Sequence, residues 1–197
     1  MTDDDLRAEL DRLAQPGVEG NEPFMYLDSA KPPRGPNVTT GIGFLLHSVD
    51  AALALPWHHA ADGLRASAAE VQAEWARVTA MPGGLQATAY RGPLRLSPAD
   101  IEAEGFRRLR AMAAGLQVEF PGYDSFPASV QQALLDLRWN AGSLLGWVHL
   151  RTACNAAPPD WLTASEQCTT ANPNGSSLRE ARNAWRVQCF LTAAGIA

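Results

Sequence analysis

Pro23-Phe24-Met25-Tyr26-Leu27-Asp28 and, after the turn-heavy residues 29–37, Val38-Thr39-Thr40-Gly41-Ile42-Gly43 are the strand-like text of a chain otherwise written in helical spacing. The first piece is aromatic and apolar and the second β-branched, which suits a pleated, half-buried surface. Gly41 and Gly43 flank one β-branched residue, a pattern that permits a tight bend or the close approach of another group to the backbone. Outward from here the spacing changes. Thr2 as cap, Asp3-Asp4-Asp5 in the first turn and Leu6, Leu10 and Leu13 on one face predict a helix over 2–14, ended by Pro16-Gly17. Leu64, Ala68, Val71, Trp75 and Val78 predict a second over 61–79, stopped by Met81-Pro82-Gly83-Gly84.

Ser97-Pro98-Ala99-Asp100 reads as a helix start, running toward Ala114 with Gly115 as its stop. Another helix begins near Ser125 to Pro127. Its Val130, Ala133, Leu134 and Leu137 define one broad apolar face, and Leu135 and Trp139 lie elsewhere, so neighbours are expected to surround it. A helical piece through Trp147 and Leu150, a turn at Pro158-Pro159, a polar loop from Thr169 to Ser177 and a last helix over Leu178 to Leu191 complete the chain. One helix, a small β segment and then a helical body make the expected class α+β.

Composition narrows the function. The chain has 197 residues, 46% hydrophobic and 19% charged, which describes a folded protein rather than a disordered or fibrous one. No apolar run approaches the ~20 residues of a spanning helix, and the acidic first residues do not read as a signal peptide, so synthesis in the cytoplasm and no membrane partner are expected. Residues 1–22 hold seven acids and two bases and alone supply the net charge of −5. The rest is neutral, with no Lys/Arg stripe to track a phosphate backbone, so nucleic acid is not an expected partner. Cys154, Cys168 and Cys189 have no zinc spacing, and His58-His59 lacks a Glu-x-x-His continuation, so no metal site is expected there. The thiols read as buried or as one optional bridge.

Two carboxylates bracket the strand-like text: Glu19 in Val18-Glu19-Gly20, and Asp28. Fully extended, they would stand ~30 Å apart, so a common site requires the chain to fold back beside the helix end. Two acids in different surroundings divide into a protonated acid and an ionised partner, the division that glycoside hydrolysis uses.

These residues resemble the phage-type lysozymes (endolysins) of glycoside hydrolase family 24. The resemblance rests on Glu19-Gly20, Tyr26, Asp28 and Thr39-x-Gly41-Ile42-Gly43-Phe44, then on Leu96-Ser97-x-x-Asp100, Trp139-Asn140-Ala141-Gly142 and Leu178-Arg179-x-x-Arg182. Phe44 stands where the family has His, and the connection holding Pro32-Pro33-Arg34-Gly35-Pro36 is longer than in the family. The resemblance implies a single lysozyme-like domain over 1–197 with a cleft between two lobes. The small β-containing lobe would cover about 18–60, and the helical lobe about 91–197 together with helix 2–14. Residues 47–90 would be an insertion.

The implied activity is cleavage of the β-1,4 bond between N-acetylmuramic acid and N-acetylglucosamine, by a mechanism that is expected to use no metal and no organic cofactor. Glu19 would be the general acid, Asp28 would hold water or stabilise positive charge, and Thr39 would position that water. Thr40 competes for the last role, since neighbouring strand residues face opposite ways. Tyr26, Asn140, Arg179 and Arg182 would bind substrate. The expected partners are peptidoglycan strands, with an immunity protein if the chain is a secreted effector rather than an endolysin; the expected setting is the periplasm or wall of a target bacterium, and the expected state a monomer. Two alternatives are an inactive wall-binding or scaffolding module of the same fold and a structural virion or interaction protein. Trp75, Trp139, Trp147 and Trp185 read as core indoles. For Trp57 and Tyr90 a glycan platform is the alternative to packing.

Overall fold

The computed structural model describes residues 1–28, 37–172 and 175–196. Residues 29–36 of the turn-heavy segment and 173–174 of the polar loop lie outside them. The described residues are α+β, with eight α-helices and two small antiparallel sheets. The chain divides into two compact units, Leu13–Gly105 and Met1–Arg12 with Phe106–Ala197.

The Leu13–Gly105 unit begins at the last residue of helix α1 (Asp3–Leu13). Strands β1 (Glu22–Leu27), β2 (Val38–Gly41) and β3 (Phe44–Leu46) form a sheet in that order. Helix α2 (Val49–Leu53) follows, capped by the Ser48 hydroxyl. Two-residue strands β4 (His58–His59) and β5 (Leu94–Arg95) pair with each other. Helix α3 (Ala68–Thr79) packs on β1 and β2. Residues 47–90 therefore supply the helix that backs the sheet. Val71 and Val78 of α3, with Phe24, Leu27, Phe44 and Leu46 from the strands, are buried, each contributing about 1.5–3 kcal/mol by leaving water.

One expectation is corrected here. Helix α3 starts at Ala68 rather than residue 61, because Ser67 and Glu70 close a reciprocal capping box. Leu64, counted as part of its apolar face, is instead exposed in the irregular stretch before the helix. Of the two readings of Trp57 and Tyr90, packing is the one seen: both are wholly buried, the Trp57 indole donating to Ala52 O at 2.8 Å and the Tyr90 hydroxyl to Pro82 O at 2.6 Å, so neither is a glycan platform.

The second unit holds α1 up to Arg12 and most of helix α4 (Pro98–Glu119), with α5 (Ala128–Ala141), α6 (Val148–Cys154), α7 (Trp161–Gln167) and α8 (Ser177–Ala193). Helix α5 is buried continuously from Ala133 to Leu137, as its several apolar faces predict, and it packs on α8. Its one charge in that run, Asp136, is fully buried and surrounded by cations. Arg182 donates to it at 2.9 and 3.0 Å, and Arg186 and Arg12 also donate. Arg12 in turn is held by Glu9 and lies 4.1 Å from the Trp185 ring centroid. Burial alone would raise the Asp136 carboxyl, but the charges of Arg182, Arg186 and Arg12 outweigh it and hold Asp136 below the ordinary range.

Gly115 does not end α4, which continues to Glu119. A side chain at Gly115 would collide with the Arg138 guanidinium of α5, so the glycine serves close packing. Arg138 pairs with Glu119 at 2.6 Å, and Glu119 accepts from the Ser143 hydroxyl at 2.9 Å and the Leu144 amide at 3.0 Å. The three cysteines are free and buried in this unit. Burial pushes the Cys154 and Cys168 thiols up to about 12 and Cys189 to about 11.

Candidate active site

Glu19 follows α1 by a curled connection. The amides of Val18 and Gly20 return to Gln15 O, and that of Glu19 to Leu13 O at 3.1 Å, while Gly17 and Gly20 take positive φ. The chain thus wraps the helix end and turns into β1. At the β2–β3 turn Gly41 and Gly43 also have positive φ, 55° and 66°. A Cβ at Gly43 would lie 2.8 Å from Glu19 Oε2 and 3.2 Å from its Cδ. The half-buried Glu19 carboxyl therefore rests against bare backbone at the hairpin turn, the close approach that the glycine pattern permits. Replacing Gly43 by Ala is expected to cost about 1 kcal/mol for the left-handed backbone alone. It should also displace Glu19, reducing any turnover that depends on this carboxyl by roughly 10²-fold. Thermal melts and turnover assays on the same sample check both effects.

The register decides between the two threonines. Thr39 pairs with Tyr26 on one side and Leu45 on the other. Directly paired residues share a face, so Tyr26, Thr39 and Leu45 form one row, and Tyr26 and Leu45 are half-exposed. Thr40 pairs with Phe44 and shares the opposite face with the buried Leu27, Val38 and Leu46; its hydroxyl donates to Glu22 O at 3.4 Å. Thr39 is thus the threonine beside Tyr26. Asp28, exposed, keeps the parity of Tyr26, and its amide donates to Asn37 O at 2.9 Å.

Burial pushes the Tyr26 phenol well above its ordinary range, and the negative charges of Asp28, Glu19 and Glu22 push in the same direction. Three carboxylates thus bear on one phenol, which keeps its proton at working pH and stays a donor. Glu22, the third, was not singled out from the sequence; its signal was its place at the head of the strand, where the β1–β2 register shifts between Glu22 and Tyr26. If the Tyr26 row is the working face, Thr39→Val lowers turnover by roughly 10–10²-fold while Thr40→Val leaves it intact and alters stability by about 1 kcal/mol. Equal losses of turnover in both variants would count against that face.

The other expected binding residues belong to the helical unit. Arg182 turns its guanidinium onto Asp136 and is nearly buried. Arg179 donates to Ala171 O at 2.9 Å, bracing the start of α8. Asn140 is exposed at the end of α5. The same unit has a hollow of about 330 Å³ lined by Ser143, Gly146, Trp147, Val148, His149, Leu150 and Gln167. Trp147, read as a core indole, is only half-buried, as are Trp75, Trp139 and Trp185, and Val148 beside it is 61% exposed. No side chain of the lining is an Arg, Lys, Asp or Glu. Among the described residues the Trp147, His149 and Gln167 side chains have no hydrogen-bond partner, so an aromatic face and three polar groups meet at this hollow unpaired. Periodicity hid Trp147 because it falls at a helix start.

His58 and His59 each face a carboxylate, Asp100 and Glu70, both at 3.2 Å. No protein-family model matches the chain, and no curated protein is significantly similar to it.

Proposed function

We propose that the chain is a peptidoglycan hydrolase of the muramidase type, as its resemblance to glycoside hydrolase family 24 implies. The observation that carries this reading is the seating of Glu19 against Gly43, with Tyr26, Asp28 and Thr39 on the adjoining hairpin. A half-buried carboxyl in the connection after α1 and an exposed carboxylate just past β1 have the different surroundings that separate a proton donor from an ionised partner. In the proposed reaction Glu19 gives its proton to the departing glycosidic oxygen as the C–O bond breaks. Asp28 stabilises positive charge at the anomeric carbon or takes a proton from the attacking water, and the Thr39 hydroxyl orients that water. The product is a new reducing end on N-acetylmuramic acid. An endolysin or a secreted effector with an immunity partner is the proposed biological setting.

Digestion of purified sacculi followed by mass spectrometry of the released fragments tests the reading. Reducing-end N-acetylmuramic acid supports it. New free amino groups, reducing-end N-acetylglucosamine or no release at all overturns it.

A second reading, a wall-binding module without turnover, is favoured by the Trp147 hollow. A lining without carboxylate, Lys or Arg, with an open indole and unpaired imidazole and amide groups, suits a neutral, N-acetylated sugar, whose C–H face covers the ring while its amide pairs with Gln167. Under this reading sacculi sediment the protein without being degraded, and Trp147→Ala abolishes the sedimentation.

A further inference from the structure

The helical unit holds another hollow, of about 540 Å³, whose lining is mostly apolar and carries a single charge. Val118 of α4, 80% exposed, lines it together with Pro121, Phe126, Pro158 and Pro159. Gly122 belongs to the same lining, and a Cβ there would lie 2.9 Å from the Phe126 ring, so bare backbone packs on the ring at that point.

The charge is that of Arg151, half-buried on α6. Its Nε donates to Glu119 O and its Nη1 to Leu145 O, both at 3.2 Å. These acceptors are neutral carbonyls, so they hold the guanidinium in place without cancelling its charge. No carboxylate among the described residues pairs with it. The acids nearest to the lining in sequence are engaged elsewhere. Glu119 is taken by Arg138, Ser143 and the Leu144 amide, Asp124 by the Gln117 amide at 2.9 Å, and Asp160 by the Thr163 amide and hydroxyl at 3.0 and 2.7 Å. A guanidinium has five N–H donors. With one on Nε and one on Nη1 engaged, the remainder on Nη1 and Nη2 form the end-on pair that meets both oxygens of a carboxylate. Asn155, which ends α6 in the same lining, has a side-chain amide without a partner among the described residues, a group suited to a peptide bond.

We propose that this hollow receives the free carboxylate end of a wall stem peptide, its D-alanyl carboxylate on Arg151 and its methyl groups against Val118, Pro121 and Pro158. The identity of the ligand rests on the peptidoglycan reading; the chemistry of recognition, a carboxylate joined to small apolar groups, rests on the hollow. A half-buried cation beside an apolar wall favours a ligand that brings both opposite charge and apolar surface. A neutral sugar brings no charge, and inorganic phosphate brings nothing for the wall. A cross-link through the terminal alanine turns its carboxylate into an amide, so the hollow favours stems that are not cross-linked.

Titration of the ¹⁵N-labelled full chain with N-acetyl-D-alanyl-D-alanine, with its C-terminal amide and with the L,L isomer tests the proposal. The acid is expected to give saturable shifts at Arg151 Nε–H, the Asn155 side-chain amide and the Ala157 amide. The amide form and the L,L isomer should each bind about tenfold more weakly, and added salt should weaken the acid. Arg151→Gln removes the charge, and Val118→Asp sets an acid in the lining at a position whose side chain is exposed. Each should weaken binding of the acid about tenfold or more, with a thermal melt showing that both variants stay folded. Absence of shifts, equal binding of acid and amide, or binding that survives both variants overturns the carboxylate site, and equal binding of the two isomers overturns its assignment to wall peptides. No glycan takes part, so a failed titration leaves the muramidase reading standing, and failed turnover on sacculi leaves the titration result intact.

Discussion

Glu19→Gln is expected to fold as the parent does and to clear purified peptidoglycan roughly 10²–10⁴-fold more slowly, the usual worth of a general acid. The variant is informative because it changes little else. Glutamine has the shape of glutamate, so the contact with the bare backbone of Gly43 survives, and the bond from the Glu19 amide to Leu13 O does not involve the side chain. What disappears is the transferable proton. Turbidity loss of sacculi, read beside a thermal melt, separates lost chemistry from lost structure. Equal rates in parent and variant would sink the muramidase proposal, and sedimentation with intact sacculi would then favour the binding module.

The largest expected effect on stability is at Asp136. Asp136→Asn leaves Arg12, Arg182 and Arg186 without the carboxylate they converge on. Removing one partner from a buried charge cluster costs about 3–5 kcal/mol, or roughly 10 °C in Tm for a chain of this size. The acid limb supplies an independent check. Asp136 is held below its ordinary range, so its stabilising contribution is complete above about pH 4, where the unfolded carboxylate is ionised, and drains away as pH falls through the lower native value. Glu9 acts oppositely: its burial outweighs the hydrogen bond from Arg12 and raises it, so it accepts a proton earlier in acid at little cost to the fold. The parent should lose stability steeply below about pH 4 and the Asn variant much less so, as denaturant midpoints across pH 2–6 would show.

Local chemistry made much of the fold legible. Thr2 with the three aspartates marked α1, Ser97-Pro98 marked α4, and the several apolar faces of α5 announced its burial. The start of α3 was also written, since Ser67 and Glu70 have capping-box spacing, but the apolar period drew Leu64 into the helix. Long-range contacts decided the rest. Gly115 resembles a helix stop until Arg138, distant in sequence, occupies the space its missing Cβ leaves. The β4–β5 pair joins two residues to two others across α3, which no local pattern announces.

At the candidate site the residue types were legible and their facing was not. The choice of Thr39 over Thr40 follows from its pairing with Tyr26, and that register shifts within β1. The placement of Arg182 depends on Asp136, a charge inside an apolar run that sequence reading passed over.

The three thiols have a practical consequence. All lie in the helical unit, none lies in Leu13–Gly105, and burial keeps them protonated well beyond neutral pH. A disulfide dye mixed with the native protein should therefore colour only as that half of the chain opens, so labelling kinetics become a clock for its breathing alone.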